Sequence, residues 1–239
     1  MSHFFSLIAP APGSERQAAH EWARWATGGA DRTAYEDHRQ LWRFFASPRG
    51  DARDFVFRRS DREEGSRFHV VSTRPPQAPS SAWQVQARPY APQLSAGTRL
   101  AFELRANPVV TVQSPAGERR RHDVVMHEKK RLLAERGCTR WSEWPEADRP
   151  ALPDLVRQTC LGWLLARAAR IGCAFDEPSL RAEGYTQHRG KADELRFSSV
   201  DFSGGLTVTD AAAFTAALTR GVGHAKAFGC GLLLVKPLR

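Results

Sequence analysis

The spacing of hydrophobic side chains along this chain changes between the two-residue period of strands and the longer period of helices. In the first half, apolar and β-branched runs at residues 4–9, 55–58, 68–72 and 83–87 have the composition of strands. The charged segment 60–65, between the second and third runs, predicts a hairpin turn. We therefore expect four strands in this half, two of them joined directly.

A helix is predicted at residues 34–46, because apolar and aromatic side chains recur there three or four positions apart and so form one face. The residues of that face are Tyr35, His38, Leu41, Trp42 and Phe45. Asp31 or Thr33 is placed to cap this helix. Residues 15–27 also have a helical pattern but end at two glycines, and we interpret this stretch as an inserted lead-in.

The second half alternates in the same way over longer segments. Strands are predicted at residues 99–105, 109–113, 123–125, 181–185, 195–200, 206–209 and 232–235. Helices are predicted at residues 127–136, 155–171 and 210–220, the last capped by Asp210 and ended by Gly221. This order fits an α+β protein with two tandem ferredoxin-like domains, at residues 1–90 and 97–239, separated where prolines and a glycine cluster.

The composition narrows the class of protein. Hydrophobic residues make up 41% of the 239 residues, and 7 Trp and 13 Phe are spread along the chain, which excludes a disordered or fibrous protein. Lys and Arg number 35 against 26 Asp and Glu, a net charge of +9 that favours a polyanionic partner. Most of the basic residues are Arg, whose planar guanidinium suits phosphate and unpaired bases.

Cysteines and the first residues indicate the compartment. None of the 4 Cys lies in a paired motif or near a histidine-rich segment with zinc spacing, so the sequence indicates neither a disulfide framework nor a metal or other cofactor. The apolar stretch at the start is short and has no basic leader, which predicts a cytoplasmic protein that does not enter a membrane.

A glycine-rich segment near the end is the most specific chemical motif. Gly221, Gly223, Gly229 and Gly231 fall within eleven residues, with Lys226 between them. Successive amide groups in such a loop can hold a phosphate while the lysine adds a positive charge, so we expect a phosphate-binding loop. The alternative is a tight crossover between a helix and the last strand that needs glycine only for steric reasons.

This segment, GVGHAKAFGCGLL at residues 221–233, resembles the loop that closes the CRISPR repeat-processing endoribonucleases of the CasE type. Three other motifs resemble the same family and occur in its order: YEDHRQLW at 35–42, DFVFR at 54–58 and RANPV at 105–109. Together the four motifs span residues 35–233, which is most of the chain.

The resemblance implies a metal-independent endoribonuclease with two ferredoxin-like domains and no cofactor. Its substrate would be an RNA carrying the repeat hairpin, cut at the 3′ base of the stem by the RNA's own 2′-hydroxyl to leave a 5′-hydroxyl and a 2′,3′-cyclic phosphate. It further implies that the protein keeps the mature crRNA, joins the other subunits of the type I-E Cascade complex, and does not bind duplex DNA on its own. The alternative is a non-catalytic subunit that only binds an RNA hairpin.

His38 and Tyr35 are the candidate catalytic residues. An imidazole can take or give a proton at neutral pH, and Tyr35 lies one turn earlier on the same helix face, where its hydroxyl could orient the phosphate or the 2′-oxygen. The alternative is that both are half-buried members of the apolar stripe. His224, inside the glycine-rich segment, is a reserve candidate for the proton transfer.

Basic residues in several segments are candidates for RNA binding. Two of them, Arg39 and Arg105, belong to motifs of the resemblance, and Arg119, Arg120 and Arg121 form a dense cluster. The resemblance also implies a basic hairpin that enters the groove of the stem, to which Arg189, Lys191 and Arg196 would belong. Lys129, Lys130 and Arg131 form another cluster, interleaved with Glu128 and Glu135. For each cluster the alternative is a solvated charged face.

Overall fold

The computed structural model describes residues 2–25, 34–46, 53–63, 65–114, 117–189 and 196–238. Within these ranges the chain forms two four-stranded antiparallel sheets and a two-stranded ribbon. Both sheets are accompanied by helices, so the predicted α+β class is confirmed.

The first sheet has the ferredoxin-like strand order β2-β3-β1-β4, with every neighbouring pair antiparallel. In chain order the elements of this half are β1 (Phe4–Pro10), α1 (Glu15–Trp25), α2 (Ala34–Leu41), β2 (Phe55–Arg62), β3 (Gly65–Ser72) and β4 (Trp83–Pro89). A 3-10 turn, Trp42–Phe44, continues α2.

One face of this sheet packs against the two helices. Trp22 of α1 stacks on Phe68 of β3 with ring centroids 4.8 Å apart, and Leu41 of α2 lies fully buried in the same core. Ala18, one turn before Trp22, is also fully buried. The expectation that residues 15–27 are an inserted lead-in is therefore wrong, because α1 supplies part of the core. The capping candidates Asp31 and Thr33 lie outside the described residues.

The second sheet repeats the ferredoxin-like order as β10-β5-β9-β8. In chain order its half contains β5 (Arg99–Ala106), β6 (Val109–Gln113), β7 (Arg119–Asp123), α3 (Val124–Arg136), α4 (Leu152–Leu165), α5 (Ala168–Ile171), β8 (Cys173–Arg189), β9 (Arg196–Val208), α6 (Ala211–Arg220) and β10 (Leu233–Pro237). The ribbon β6-β7 and the helices α3 to α5 lie between the first and second strands of this unit.

Local sequence explains several boundaries in this half. The Asp210 carboxylate accepts hydrogen bonds from two amide groups of α6, which confirms the predicted cap. Asp123 caps α3 through the Met126 amide, so the expected strand at residues 123–125 is wrong: Val124 already begins the helix. The expected separate strands after residue 180 are parts of one long hairpin, β8 with β9.

The free face of the first sheet packs against the second half of the chain. Val56 and Val71 of that face form a small buried cluster with Leu232, which immediately precedes β10. Charged contacts continue this junction, since Arg58 of β2 lies 3.4 Å from the Asp201 carboxylate of β9 and 3.5 Å from that of Glu103 in β5. The two sheets are therefore held together by both apolar and ionic contacts.

Among the described residues, no helix has both the length and the apolar character needed to cross a membrane.

Candidate active site

The segment between α6 and β10, residues 221–231, forms a loop that closes on itself. The Val222 amide donates to the Gly231 carbonyl at 2.8 Å, and the Gly231 amide donates to the Arg105 carbonyl at 2.7 Å. A side chain at Gly231 would meet the Val222 carbonyl at 2.7 Å, so this glycine is required by the crossover. At Gly223 an added Cβ would make only ordinary contacts, with Trp163 at 3.6 Å. Gly223 is favoured instead by its backbone φ of +76°, so local geometry explains both glycines.

This loop, here called the glycine loop, lies against the first half of the chain. Its 3-10 turn Lys226–Phe228 packs on α2, and Gly229 lies against the ring of Phe57 in β2. Because α2 carries His38, the contact brings His38 and Lys226, two of the residues predicted from sequence, into one region.

His38 is half-buried beside aromatic rings. Its Nε2 accepts a hydrogen bond from the Trp42 indole at 3.3 Å, and its ring centroid lies 5.6 Å from that of Phe55. Burial lowers the pKa of His38 from its ordinary value of 6.5 to about 4, with a further contribution from the positive charge of Arg53. The imidazole is therefore neutral at neutral pH in the protein without RNA.

Arg53 also acts on Lys226. Burial lowers the pKa of the Lys226 ammonium, and the charges of Arg53, Arg170 and Arg220 lower it further. The Lys226 ammonium donates to the Arg220 carbonyl at 2.6 Å, which fixes the side chain within the loop. No local pattern in the sequence marks Arg53, because its effect on the pKa values of His38 and Lys226 depends on the packing of separate segments.

Arg105 lies in the ionic junction of the two sheets. Its guanidinium donates to both carboxylate oxygens of Asp201, at 3.0 and 2.7 Å, and this ion pair is the main cause of its raised pKa. Because the Arg105 carbonyl accepts from Gly231, this residue also connects the junction to the glycine loop.

The remaining candidates occupy several elements. Arg39 is exposed on α2, and the cluster Arg119, Arg120 and Arg121 is exposed on β7, where Arg120 pairs with Glu118 at 2.8 Å. Arg131 pairs with both Glu128 and Glu135, as expected of a solvated charged face. Lys191 and the side chains of Tyr35 and Arg189 lie outside what the structure describes.

A cleft of about 660 Å³ lies between the glycine loop and the end of the β8-β9 hairpin nearest its tip. The rings of His188, Phe197 and Phe228 stack in its wall, with centroid separations of 4.4 and 4.7 Å. Arg121 and Arg196 also line it, so the cleft combines aromatic faces with guanidinium groups. Such a surface suits RNA, whose bases stack and whose phosphates pair with arginine.

Among the described residues, no group of three or more His, Cys, Asp or Glu is placed to hold a metal ion.

Comparisons with known proteins give similarities over nearly the whole chain. The chain is 29% identical over 212 residues to the CRISPR system Cascade subunit CasE of Escherichia coli (strain K12). The alignment covers 87% of this chain and 94% of that protein. Its fold is similar to that of Thermus thermophilus Cse3 bound to an RNA representing a pre-cleavage complex, with a TM-score of 0.65, 23% identity and coverage of 99% and 100%. Cas6e from Escherichia coli K-12 is similar with a TM-score of 0.58, 23% identity and coverage of 98% and 100%.

These solved structures agree with the predicted tandem ferredoxin-like fold, which the two sheets confirm. The model of the CRISPR associated protein family matches residues 8–237, from β1 through β10. The chain therefore belongs to the CRISPR associated protein family.

Proposed function

We propose that this protein is an endoribonuclease that binds the repeat hairpin of a precursor crRNA and cuts it at the 3′ base of the stem. The main support for this proposal is the contact between α2 and the glycine loop. The neutral imidazole of His38, the ammonium group of Lys226 and several glycines with positive φ lie in that region. The similarity to CasE and to a Cse3 structure that contains RNA supports this substrate.

His38 is the general base of the proposed mechanism. Because burial keeps its imidazole neutral, Nε2 can accept the proton of the RNA 2′-hydroxyl once the long hydrogen bond from Trp42 is given up. The 2′-oxygen then bonds to the adjacent phosphorus and the bond from phosphorus to the 5′-oxygen breaks. The 5′-oxygen leaves as a hydroxyl after taking up a proton, and the phosphate remains as a 2′,3′-cyclic ester.

The glycine loop and Lys226 have an electrostatic role in this scheme. Negative charge increases on the phosphate oxygens as the 2′-oxygen attacks, and an ammonium group with nearby amide donors stabilises it. Tyr35 orients the phosphate or the 2′-oxygen from the same helix. Since the nucleophile is part of the substrate, positioning and proton transfer are sufficient and the reaction needs no metal ion.

The hairpin RNA lies across the second half of the chain. The β8-β9 hairpin, with Arg189, Lys191 and Arg196 near its tip, enters the groove of the stem, and Arg119 to Arg121 contact its phosphates. We assign residues 1–90 to the domain that carries the catalytic helix and 97–239 to the domain that binds RNA. After cutting, the protein keeps the mature crRNA and acts as a Cascade subunit in the cytoplasm, as the similarity to CasE suggests.

A cleavage assay in excess EDTA tests the function directly. Wild-type protein should cut a hairpin RNA at the same rate with and without EDTA. His38→Ala should cut it more slowly by about 10²- to 10⁴-fold, the usual contribution of a general acid or base. Binding should stay near wild type, because a proton-transfer group acts mainly in the transition state. An RNA with a 2′-deoxy scissile nucleotide is the control and should bind but not be cut.

Three results would contradict this proposal. Strict dependence on added Mg²⁺ would exclude a metal-independent reaction. Near-normal single-turnover rates for His38→Ala would assign the proton transfer to another group, with His224 the first to test. If wild type binds the hairpin and never cuts it, the protein is the non-catalytic RNA-binding subunit.

A further inference from the structure

A second cleft lies on the side of the glycine loop that faces α5 and α6. Its volume is about 430 Å³, and four basic side chains line it. These are Arg167, Arg170, Arg220 and Lys226. His224 lines both this cleft and the cleft of about 660 Å³ described above, here called the aromatic cleft, so the glycine loop forms the ridge between them.

The charges of this basic cleft are not balanced locally. Apart from the basic residues and His224, its described lining consists of glycine and apolar residues, with no Asp or Glu. Arg170 and Arg220 are exposed and have no ion-pair partner among the described residues. A cleft with one sign of charge concentrates counterions of the other sign.

Helix ends explain only part of this arrangement. Arg220 is the last residue of α6 and Arg170 lies in the short α5, positions where the helix dipole favours a cation. Arg167 is held by the carbonyls of Trp163 and Val109 and lies over the Trp163 ring at 3.9 Å. These reasons apply to each residue singly and do not account for their convergence around one cavity.

The cations also repel one another. After burial, the charges of Arg121, Arg167, Lys226 and Arg170 lower the pKa of His224, and those of Arg170 and Arg220 lower the pKa of Lys226. A bound anion would relieve this repulsion.

The position of the cleft indicates which anion it binds. Under the proposed function, the tip of the β8-β9 hairpin enters the stem, and the residues next to that tip line the aromatic cleft. The stem therefore lies on that side of the glycine loop, with the scissile phosphate at the loop beside α2. The strand that continues past the cut then leaves over the loop toward the basic cleft.

We propose that the basic cleft binds the backbone phosphates of the single-stranded RNA segment downstream of the cut. This inference rests on the proposed function. It adds a second RNA-binding surface, which contacts the precursor but not the retained product. Cutting breaks the covalent link between this strand and the stem, so the downstream fragment is afterwards held by these contacts alone.

Binding measurements with three RNAs test this surface. All carry a 2′-deoxy scissile nucleotide, which prevents cutting. One ends at the base of the stem, one continues downstream as single-stranded uridines, and one carries an equal uridine extension upstream. The proteins are wild type, Arg170→Ala/Arg220→Ala, and the control Arg16→Ala/Arg99→Ala, whose arginines are also exposed but lie outside both clefts.

The downstream extension should tighten binding to wild type and to the control roughly three- to tenfold, as two exposed charge contacts would. It should also steepen the log-log salt dependence by about 0.7 unit for each phosphate that the cleft binds. Arg170→Ala/Arg220→Ala should show neither effect yet bind the stem-only RNA like wild type.

Two outcomes would overturn the inference. In one, the downstream extension improves wild-type affinity no more than the upstream one does. In the other, the double variant weakens binding of the stem-only RNA as much as that of the extended RNA. Cleavage of unmodified RNA in EDTA is measured in parallel: absence of cutting by wild type refutes the proposed function, whereas normal cutting without the downstream effect refutes only this inference.

Discussion

His38 differs from an ordinary surface histidine because two features of its surroundings favour the neutral ring. It is half-buried against Phe55 and Trp42, and the positive charge of Arg53 disfavours a second positive charge nearby. A histidine protonated at neutral pH would lack the lone pair that a general base requires. The same residues that complete the apolar stripe therefore also keep the imidazole unprotonated.

Substituting Arg53 should move the titration of His38 in a defined direction. Arg53→Gln removes a repulsive charge while leaving the ring buried, so the pKa of His38 should rise above about 4 and remain below 6.5. NMR titration of the imidazole in the free protein measures this. The low-pH limb of kcat/KM, which reports the free enzyme, should move to higher pH in the same variant.

Arg43→Gln is the matched control for this prediction. Arg43 is exposed and lies over the Trp25 ring, and it does not contribute to the His38 shift. Its substitution should leave the titration unchanged. Identical His38 titrations in wild type and Arg53→Gln would show that burial alone sets the pKa.

Among the elements, the ribbon β6-β7 presents the densest exposed positive charge. Replacing Arg119, Arg120 and Arg121 together by Ala should weaken hairpin binding and flatten its log-log salt dependence by about 1 unit for each phosphate that is no longer bound. Arg120 should contribute least, because Glu118 already pairs with it. Affinities measured across a salt series provide the slope.

Arg131→Ala on α3 separates a specific contact from net charge. It removes a guanidinium that two glutamates of the same helix already hold, so affinity and slope should stay near wild type. Equal reductions per charge removed in the ribbon variant and in Arg131→Ala would mean that only overall charge matters. An unchanged slope in the ribbon variant would place the RNA elsewhere.

The elements predicted best from sequence are those with a periodic stripe and a local cap. Both conditions hold for α6, which begins after Asp210 and ends before Gly221 as expected. The error at Asp123 arose because a cap residue next to two valines also fits the end of a strand. For α1, the glycines after it suggested an insertion, whereas Trp22 and Ala18 are core residues.

Contacts between distant segments could not be predicted in the same way. The sequence selected His38 and Lys226 separately, from a helix face and a glycine loop. Only the packing of α2 on the 3-10 turn of that loop puts them together, and the charge of Arg53 acts on both. Periodicity reports which face of an element is buried but not which element covers it.

At the scale of the whole molecule, Asp201 of the second sheet joins the first sheet through Arg58 and also binds Arg105 of its own sheet. Asp201→Asn leaves these two guanidinium groups without their shared counterion, so the free energy of unfolding should fall by about 1–2 kcal/mol. Cleavage should fall as well, because His38 and Lys226 belong to opposite sides of this junction. Urea unfolding and single-turnover cleavage measure the two effects.

The control is Asp154→Asn, which breaks an exposed ion pair with Arg157 on α4. Such surface pairs contribute little, so we expect a change of less than about 0.5 kcal/mol and normal cleavage. If Asp201→Asn is as stable and as active as this control, the ion pairs of Asp201 contribute little to the junction.

The order of elements along the chain also has a consequence for folding. The glycine loop and β10 follow every other described element, and β10 pairs with β5, more than a hundred residues earlier. Contacts between such distant segments form late, because closing a long loop costs entropy before the contact is made. Under the proposed mechanism, a ribosome-bound chain that has exposed α2 but not the glycine loop has the imidazole of His38 without the loop that packs beside it, so it does not yet cut RNA.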